Sequence, residues 1–420
     1  MKKLAVLVSQ FPEMHETFVA RELAELDSQG IDLCIYSYKP ADPNVTQSEA
    51  LRMKKRTRYG RLLSPAAAGA LIHHLAHRPV HLLRAFAALA RLPFTDRAAL
   101  VKAWGLVPLS LVFARDMARQ GVVHVHAHWA TVPCTQAAFI SRLLGIDYSF
   151  TAHAFDIFLT DGALGRKLSD ASFAVTCTQY NVGFLREALR RVDPVADPCK
   201  AVCNYHGVST TNPLLQPRRN GGPKRGSPAL ILTIGRLVEQ KGFGDLIRAV
   251  RLLRDEGRDV RLEIIGKGPL QDELRELSRQ LSLQDQVCFG GGMPLREVLD
   301  RVATADVFAL PSVIGSDGDR DGIPNVLIEA LALEVPAVST RVSGIPELVR
   351  HEETGLLVEP HDPHGLAEAI ARILDDPELG CRLGRGGRRR VQSVWDVTTN
   401  VHQLVDIFRE RVPALAREGK

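Results

Sequence analysis

The sequence predicts an α/β protein built from two Rossmann-like halves. Three observations lead there. A length of 420 residues suits two domains at roughly 100–200 residues each. Short apolar runs alternate with helical patterns along nearly the whole chain, as in a parallel sheet covered on both faces. That alternation is interrupted between the halves by the stretch TTNPLLQPRRNGGPKRGSP at 210–228.

In the first half the strand segments are Leu4–Ser9, Asp32–Tyr38, Val122–Ala127, Tyr148–Ala152, Phe173–Cys177 and Ala201–Asn204. Helical patterns separate them, among them Thr17–Gln29, Thr131–Leu144 and Gln179–Arg191. The 210–228 stretch is rich in Pro, Gly, Asn and Arg, lacks an apolar period and reads as a linker. The second series of strands is Leu230–Ile234, Arg261–Ile265, Gln286–Phe289, Val307–Leu310, Ala337–Thr340 and Gly355–Val358. Helices follow at Pro363–Asp375, Pro377–Val391 and Trp395–Arg411. The expected domains are 1–209 and 229–394, joined by 210–228 and followed by a terminal segment 395–420. Two such halves are expected to face each other across a cleft that takes a small ligand.

Composition narrows the function. With 45% hydrophobic and 24% charged residues the chain matches a soluble globular protein. The seven cysteines are scattered without a C-x-x-C pair, which predicts reduced thiols rather than a zinc site or disulfide scaffold. The apolar run Leu4–Val8 is too short for a signal sequence and reads as a buried first strand. Leu62–Ile72 and Ala103–Ala114 fall short of the ~18 residues of a spanning helix. A cytoplasmic location is therefore expected. Between Arg52 and Lys102 there are eleven Lys or Arg and one acid, Asp96. Around Val80–Leu92, Leu82, Phe86 and Leu89 share one helical face, with His81, Arg84 and Arg91 on another. A basic amphipathic segment of this kind suits an anionic membrane surface. It equally suits an acidic partner or a solvated face over a core. It lacks the interleaved aromatics and motifs of nucleic-acid binders. The chain has no G-x-G-x-x-G after its first strand, no G-x-x-x-x-G-K-[ST] and no G-x-S-x-G. Dinucleotide, P-loop and α/β-hydrolase chemistry are thereby disfavoured.

Three constellations carry chemistry. Gly235-Arg236-Leu237-Val238-Glu239-Gln240-Lys241-Gly242 follows an apolar strand and precedes a helix. Its glycines permit close backbone approach, and its two cations can clamp a diphosphate, Arg as a fork and Lys as a point charge. The second constellation runs from Asp317 to Ala330. Pro324 fits the start of a helix whose first amides, from Asn325 on, offer an anion site. Glu329 lies more than a turn in, within reach of paired ribose hydroxyls, and Asp321 sits just before the helix. The opening D-x-D-x-D-G resembles a calcium loop, but position twelve is Ile328 rather than Glu. The third comprises His126, His128, His153 and Asp156. His128 and His153 end strands at the carboxyl edge, while the alternation of His124 and His126 on one strand argues for burial over metal binding.

At these residues the chain resembles family 4 glycosyltransferases of the GT-B fold, especially the exopolysaccharide and colanic-acid type. Phe11-Pro12-x-x-x-Glu16-Thr17-Phe18 is similar to that group's F-P-x-x-S-E-T-F, with His15 in place of Ser. His126-Ala127-His128-Trp129 and Ser149–Ile157 are similar to its H-A-H-F and S-F-T-A-H-A-x-D-I. The second half carries G-R-L-x-E-K-K-G with Gln240 for the first Lys, then Ile265-Gly266-Lys267-Gly268-Pro269-Leu270. It also carries the D-G-D-x-E-G-I-P-N-V-L-x-E-A block and Ser343–Leu348. The E-x7-E pair of that family reads Asp321-x7-Glu329 here, with the first acid one methylene shorter.

The resemblance implies a retaining, metal-independent glycosyltransferase using a UDP- or GDP-sugar, with no cofactor. His153, Asp321 and Glu329 would take catalytic roles. Gly235, Arg236, Lys241, Gly266, Gly322, Ile323, Pro324, Asn325 and Glu329 would bind the donor, and Glu16, Thr17, His128 and Asp156 would lie on the acceptor side. The acceptor would be a saccharide, especially a lipid-linked one, and the enzyme peripheral on the inner face of the plasma membrane. The terminal helix would cross back to the first domain. A metal-free site is consistent with charge stabilisation of the leaving diphosphate by cations and a helix N-terminus. No carboxylate pair suited to double displacement stands out, which favours a front-face reaction. Two alternatives remain open at this point: a GT-B nucleotide-sugar 2-epimerase, and a nucleotide-sugar-binding protein impaired in catalysis.

Overall fold

A computed structural model describes residues 2–13, 17–43, 45, 47–62, 64–94, 97–159, 163–217 and 227–415. The chain divides into two compact units, Met1–Tyr205 with Thr398–Lys420, and His206–Val397.

The first unit is built on a seven-stranded parallel sheet. Its strands are β1 (Lys3–Gln10), β2 (Leu33–Lys39), β3 (Thr57–Tyr59), β4 (Val122–His128), β5 (Asp147–Ala152), β6 (Phe173–Thr176) and β7 (Ala201–Cys203). Their order is β3-β2-β1-β4-β5-β6-β7, so the strand order reverses between β1 and β4. Leu4–Val8 in β1 and Leu33–Tyr36 in β2 are buried at every position, as a sheet covered on both faces requires. Helix Val107–Gln120 covers one flank through Phe113, whose ring lies 5.1 Å from Tyr36 and 5.3 Å from Tyr38. The terminal helix Val397–Arg411 belongs to this unit from Thr398 on. Its buried Phe408 meets His126 at 5.0 Å and Phe173 at 5.6 Å.

The second unit carries a six-stranded parallel sheet of β8 (Ala229–Ile234), β9 (Val260–Ile265), β10 (Val287–Gly291), β11 (Val307–Leu310), β12 (Ala337–Thr340) and β13 (Leu356–Val358). Its order, β10-β9-β8-β11-β12-β13, reverses between β8 and β11. All six were expected from their apolar runs, and β3 was not. It is a three-residue edge strand, Thr-Arg-Tyr, with no apolar signal inside the basic segment. That segment otherwise folds into helices Pro65–His77, Pro79–Ala90 and Arg97–Gly105. Leu82 and Leu89 are buried as the helical period predicts, and Arg84 and Arg91 are exposed.

Three expected boundaries are corrected. His206–Ser209 lie in the second unit rather than the first, because Val208 pairs in parallel with Asp396. The beginning of the supposed linker is docked rather than free. Leu215 is buried, and the Arg388 guanidinium donates to the carbonyl of Leu215 and the side chain of Gln216, each at 2.9 Å. Residues 218–226 of that stretch lie outside the described residues. Trp395 is not part of the terminal helix. It follows helix Pro377–Val394 and is buried in the second unit beneath Arg390, 5.1 Å from the ring centroid.

Candidate active site

In the second unit the loops after β8 and β11 leave the sheet on either side of its switch point, where α/β folds open a ligand crevice. Side chains from Arg236 to Lys241 meet side chains from Ser312 to Asp321 there. Lys241 Nζ donates to both carboxylate oxygens of Asp321, at 2.8 and 2.9 Å. Ser312 Oγ, two residues past the end of β11, donates to Asp321 Oδ2 at 2.9 Å. Gln240 Nε2 donates to Asp319 at 2.6 Å, and the Gln240 carbonyl accepts from the Val313 amide at 3.0 Å. Glu239 accepts from the amide and hydroxyl of Ser316, at 3.0 and 2.6 Å. The two loops are thus laced together residue by residue, which fixes Lys241 and Asp321 in place. Burial pushes the Asp319 carboxyl above its ordinary value.

Two glycines make this packing possible. Gly242 has φ +64, and a Cβ there would stand 1.9 Å from the carbonyl oxygen of Pro311. Gly266, after β9, has φ +146, and its Cβ would stand 1.9 Å from the carbonyl oxygen of Gly235. Neither position admits a side chain without moving backbone. Arg236 is exposed and makes no ion pair among the described residues, so its guanidinium is available to an anion. Pro324 caps helix Asn325–Ala332 from just outside it, with φ −64 and ψ 126. Gly322 and Ile323 precede it, Asn325 is exposed at its first position, and Glu329 is buried in its second turn. The first amides of this helix start at the end of the same β11 loop that carries Asp321.

In the first unit the strand order reverses at β1 and β4, and the residue-type signal there is more structural than expected. His153 follows β5 and is 6% exposed, with its ring 4.4 Å from Trp129 and 5.0 Å from Phe18. Asp156 is fully buried. Its carboxylate accepts from the His153 amide at 2.5 Å and from the Ala130 amide. Asp156 therefore holds the start of helix Ala154–Phe158 against the end of β4, and positions His153. No surface of Asp156 is exposed, so its expected place on the acceptor side is that of a group acting through His153. Burial pushes its carboxyl up to about 7, against the pull of those amides. Lys167 Nζ, also buried, donates to the Ala130 carbonyl at 2.9 Å.

The enclosure extends to His128. It is completely buried, with Nε2 3.1 Å from the Glu22 carboxylate and its ring stacked 6.3 Å from that of His153. Below it, Ser149 Oγ bridges His124 Nε2 at 2.7 Å and His126 Nδ1 at 2.8 Å, and Thr151 Oγ1 meets His126 Nε2 at 2.8 Å. These histidines hydrogen-bond within the sheet. Burial holds His124 down at about 3 and His126 well below its ordinary value, so both are neutral. Glu16 and the side chain of Thr17 lie outside the described residues. Sequence reasoning missed Ser312 and Trp129. Trp129 directly follows β4 and Ser312 lies two residues past the end of β11, each at a switch point, which is the signal that would have found them.

Comparison with known proteins agrees with this geometry. Residues 217–390 match the model of the family described as glycosyl transferases group 1. A protein of Escherichia coli named for glycosyl transfer in colanic acid biosynthesis is 44% identical over 155 residues, covering 36% of this chain and 38% of that protein. The amylovoran biosynthesis glycosyltransferase of Erwinia amylovora is 42% identical over 181 residues, 43% of this chain and 44% of the relative. A GDP-mannose-dependent phosphatidylinositol monomannoside mannosyltransferase of Mycobacterium tuberculosis is 34% identical over 185 residues, 44% and 48% of the two chains. The matched segments thus span less than half of each relative. Among solved structures, a sucrose-phosphate synthase of Thermosynechococcus elongatus superposes with a TM-score of 0.71 at 21% identity, over 99% of this chain and all of that one. The Anabaena protein HepE, solved in complex with UDP, gives 0.70 at 15% identity over 98% and 100%. The fold is that of GT-B glycosyltransferases. Over residues 217–390, less than half of the chain, the sequence is similar to the glycosyl transferases group 1 family.

Proposed function

We propose that this chain is a retaining glycosyltransferase that moves a sugar from a UDP- or GDP-sugar to a saccharide acceptor, especially a lipid-linked one, in polysaccharide biosynthesis. The observation that carries the reading is the cation pair at the β8–β11 switch: Arg236 without a carboxylate partner among the described residues, and Lys241 held by Asp321 beside the start of helix Asn325–Ala332. A diphosphate entering there meets two cations and helix amides. Two of the relatives above are named for colanic acid and amylovoran biosynthesis and one as a GDP-mannose-dependent phosphatidylinositol monomannoside mannosyltransferase, and a structural neighbour was solved with UDP. These support the donor class.

In this reading the bond from the anomeric carbon to the β-phosphate oxygen breaks, and the acceptor oxygen bonds the same face of the sugar. The acceptor proton passes to the leaving phosphate. Arg236, Lys241 and the helix amides stabilise the negative charge that develops on that phosphate, a task that needs no metal. Glu329 holds the ribose, Asp321 faces the sugar, and His153 takes a catalytic role. Screening UDP-, GDP-, ADP- and dTDP-sugars by thermal shift should give stabilisation of a few degrees from one nucleotide, unchanged by EDTA. No shift from any nucleotide would remove the donor assignment, and a shift that requires metal would move attention to Asp317 and Asp319.

The membrane part of the reading rests on helices Pro65–His77, Pro79–Ala90 and Arg97–Gly105. They expose Ile72, Leu75, Val80, Leu83, Val101 and Trp104 among basic residues. Among the described residues no single helix is long and apolar enough to cross a membrane. An apolar and basic surface lies on an anionic bilayer, here the inner face of the plasma membrane. Neutralising Arg84, Arg91 and Arg97 together should weaken sedimentation with phosphatidylglycerol vesicles, and unchanged sedimentation would end this part of the proposal.

A further inference from the structure

One flank of the first unit's sheet carries a cavity that the transfer reaction does not use. Its volume is about 410 Å³, and it is lined by Tyr36 of β2, Arg58 and Tyr59 of β3, and Arg115, Asp116 and Arg119 of helix Val107–Gln120. Three guanidinium groups against one carboxylate leave a net charge of +2 (3 − 1).

That carboxylate is already committed. Asp116 Oδ1 accepts from Arg58 at 3.0 Å, and Oδ2 accepts from the Tyr36 hydroxyl at 2.8 Å. Burial, and then this bond, push the Tyr36 phenol up, so it stays a hydroxyl. Arg115 and Arg119 have no carboxylate partner among the described residues, and Arg115 Nε is buried there without a hydrogen-bond partner. The two stand four apart on one helix, a like-charge arrangement that costs stability unless an anion lies between them. The positive field reaches further. His73, on the neighbouring helix Pro65–His77, is held below its ordinary value by desolvation, then by the charges of His77, Arg115, Arg119 and Arg78.

We propose that Arg58, Arg115 and Arg119 form a binding site for a phosphate-bearing anion, the headgroup phosphate of an acidic lipid or a soluble phosphate. Guanidinium forks match the several oxygens of a phosphate, and a charge of −2 balances the cavity. The same helix Pro65–His77 exposes Leu71, Ile72 and Leu75, so a lipid bound by its headgroup here has apolar surface beside it. The site rests on no part of the glycosyl-transfer reading.

The test uses the full chain with inorganic pyrophosphate at constant ionic strength. Hydrogen exchange across Pro65–His77 and Val107–Gln120 should slow by about tenfold or more when the site fills. Arg115→Gln with Arg119→Gln should abolish that protection without lowering the unfolding midpoint, since neither side chain has an ion-pair partner to lose. A variant neutralised at Arg84, Arg91 and Arg97 should keep it, as should any separate protection of 235–243 by the donor site. Competition between pyrophosphate and phosphatidylglycerol vesicles, lost in the double variant, assigns the headgroup, whereas vesicle binding indifferent to pyrophosphate assigns a soluble phosphate. No protection in the natural chain, or protection that survives Arg115→Gln with Arg119→Gln, overturns the site.

Discussion

Replacing Lys241 with alanine should lower kcat/KM by about 10²–10³, the loss measured when one preorganised donor is removed from a developing anion. The effect should fall mainly on kcat, because charge on the leaving phosphate is greatest in the transition state. Lys241 has a second duty in the unliganded chain, where its ammonium holds both oxygens of Asp321. Removing it leaves that carboxylate with a hydrogen bond from the Ser312 hydroxyl and no ion-paired cation among the described residues, a cost of about 1–3 kcal/mol in stability. The two duties separate in a double variant. Lys241→Ala with Asp321→Ala should recover the unfolding midpoint without recovering the rate. Lys241→Ala within threefold of the natural rate, measured with whichever nucleotide-sugar stabilises the chain, would remove Lys241 from the transition state.

The Lys241–Asp321 pair also shows which parts of this protein can be read from its sequence. Its members are 80 positions apart, and no spacing rule joins them. They became neighbours because β8 and β11 are paired at the centre of the sheet, and pairing order is a tertiary fact. All strands but β3 were legible, because a strand buried on both faces is largely apolar, as Leu4–Val8 is throughout. Motif glycines were legible for a related reason, since Gly242 and Gly266 occupy backbone that a Cβ would overlap. Burial of polar residues was legible only where a strand's alternation gave it, at His124 and His126. His128 and Asp156 have the residue types of a ligand site, and only packing shows that both are enclosed. Arg58, Arg115 and Arg119 were unreadable in the same way. In the sequence, Arg58 belongs to a run of surface charge, while in the fold β3 carries it to helix Val107–Gln120.

Asp156→Asn should remove a decline in stability between acid and neutral pH. Asp156 is completely buried, and burial raises its folded value to about 7 from 3.8. The folded chain therefore holds a proton that the unfolded chain releases between those two values. Stability from this group is fully present below the unfolded value and is lost as pH rises through about 7. At about 1.4 kcal/mol per pH unit, the span amounts to several kcal/mol. Asn cannot titrate, so the variant lacks this decline. At pH 4.5 it should be less stable than the natural chain by about 1–3 kcal/mol, because its NH₂ faces a backbone donor at Ala130 or His153. By pH 8 the order should narrow or reverse. His124 and His126 act in the opposite sense, since their depressed values make the unfolded chain the one that takes up protons as pH falls below about 6.5. They are present in both proteins and cancel in the difference. Chemical denaturation of the pair across pH 4.5–8 reads that difference directly. Parallel profiles would mean that Asp156 stays ionised in the fold, held by the amides of Ala130 and His153 and by the charge of Lys167.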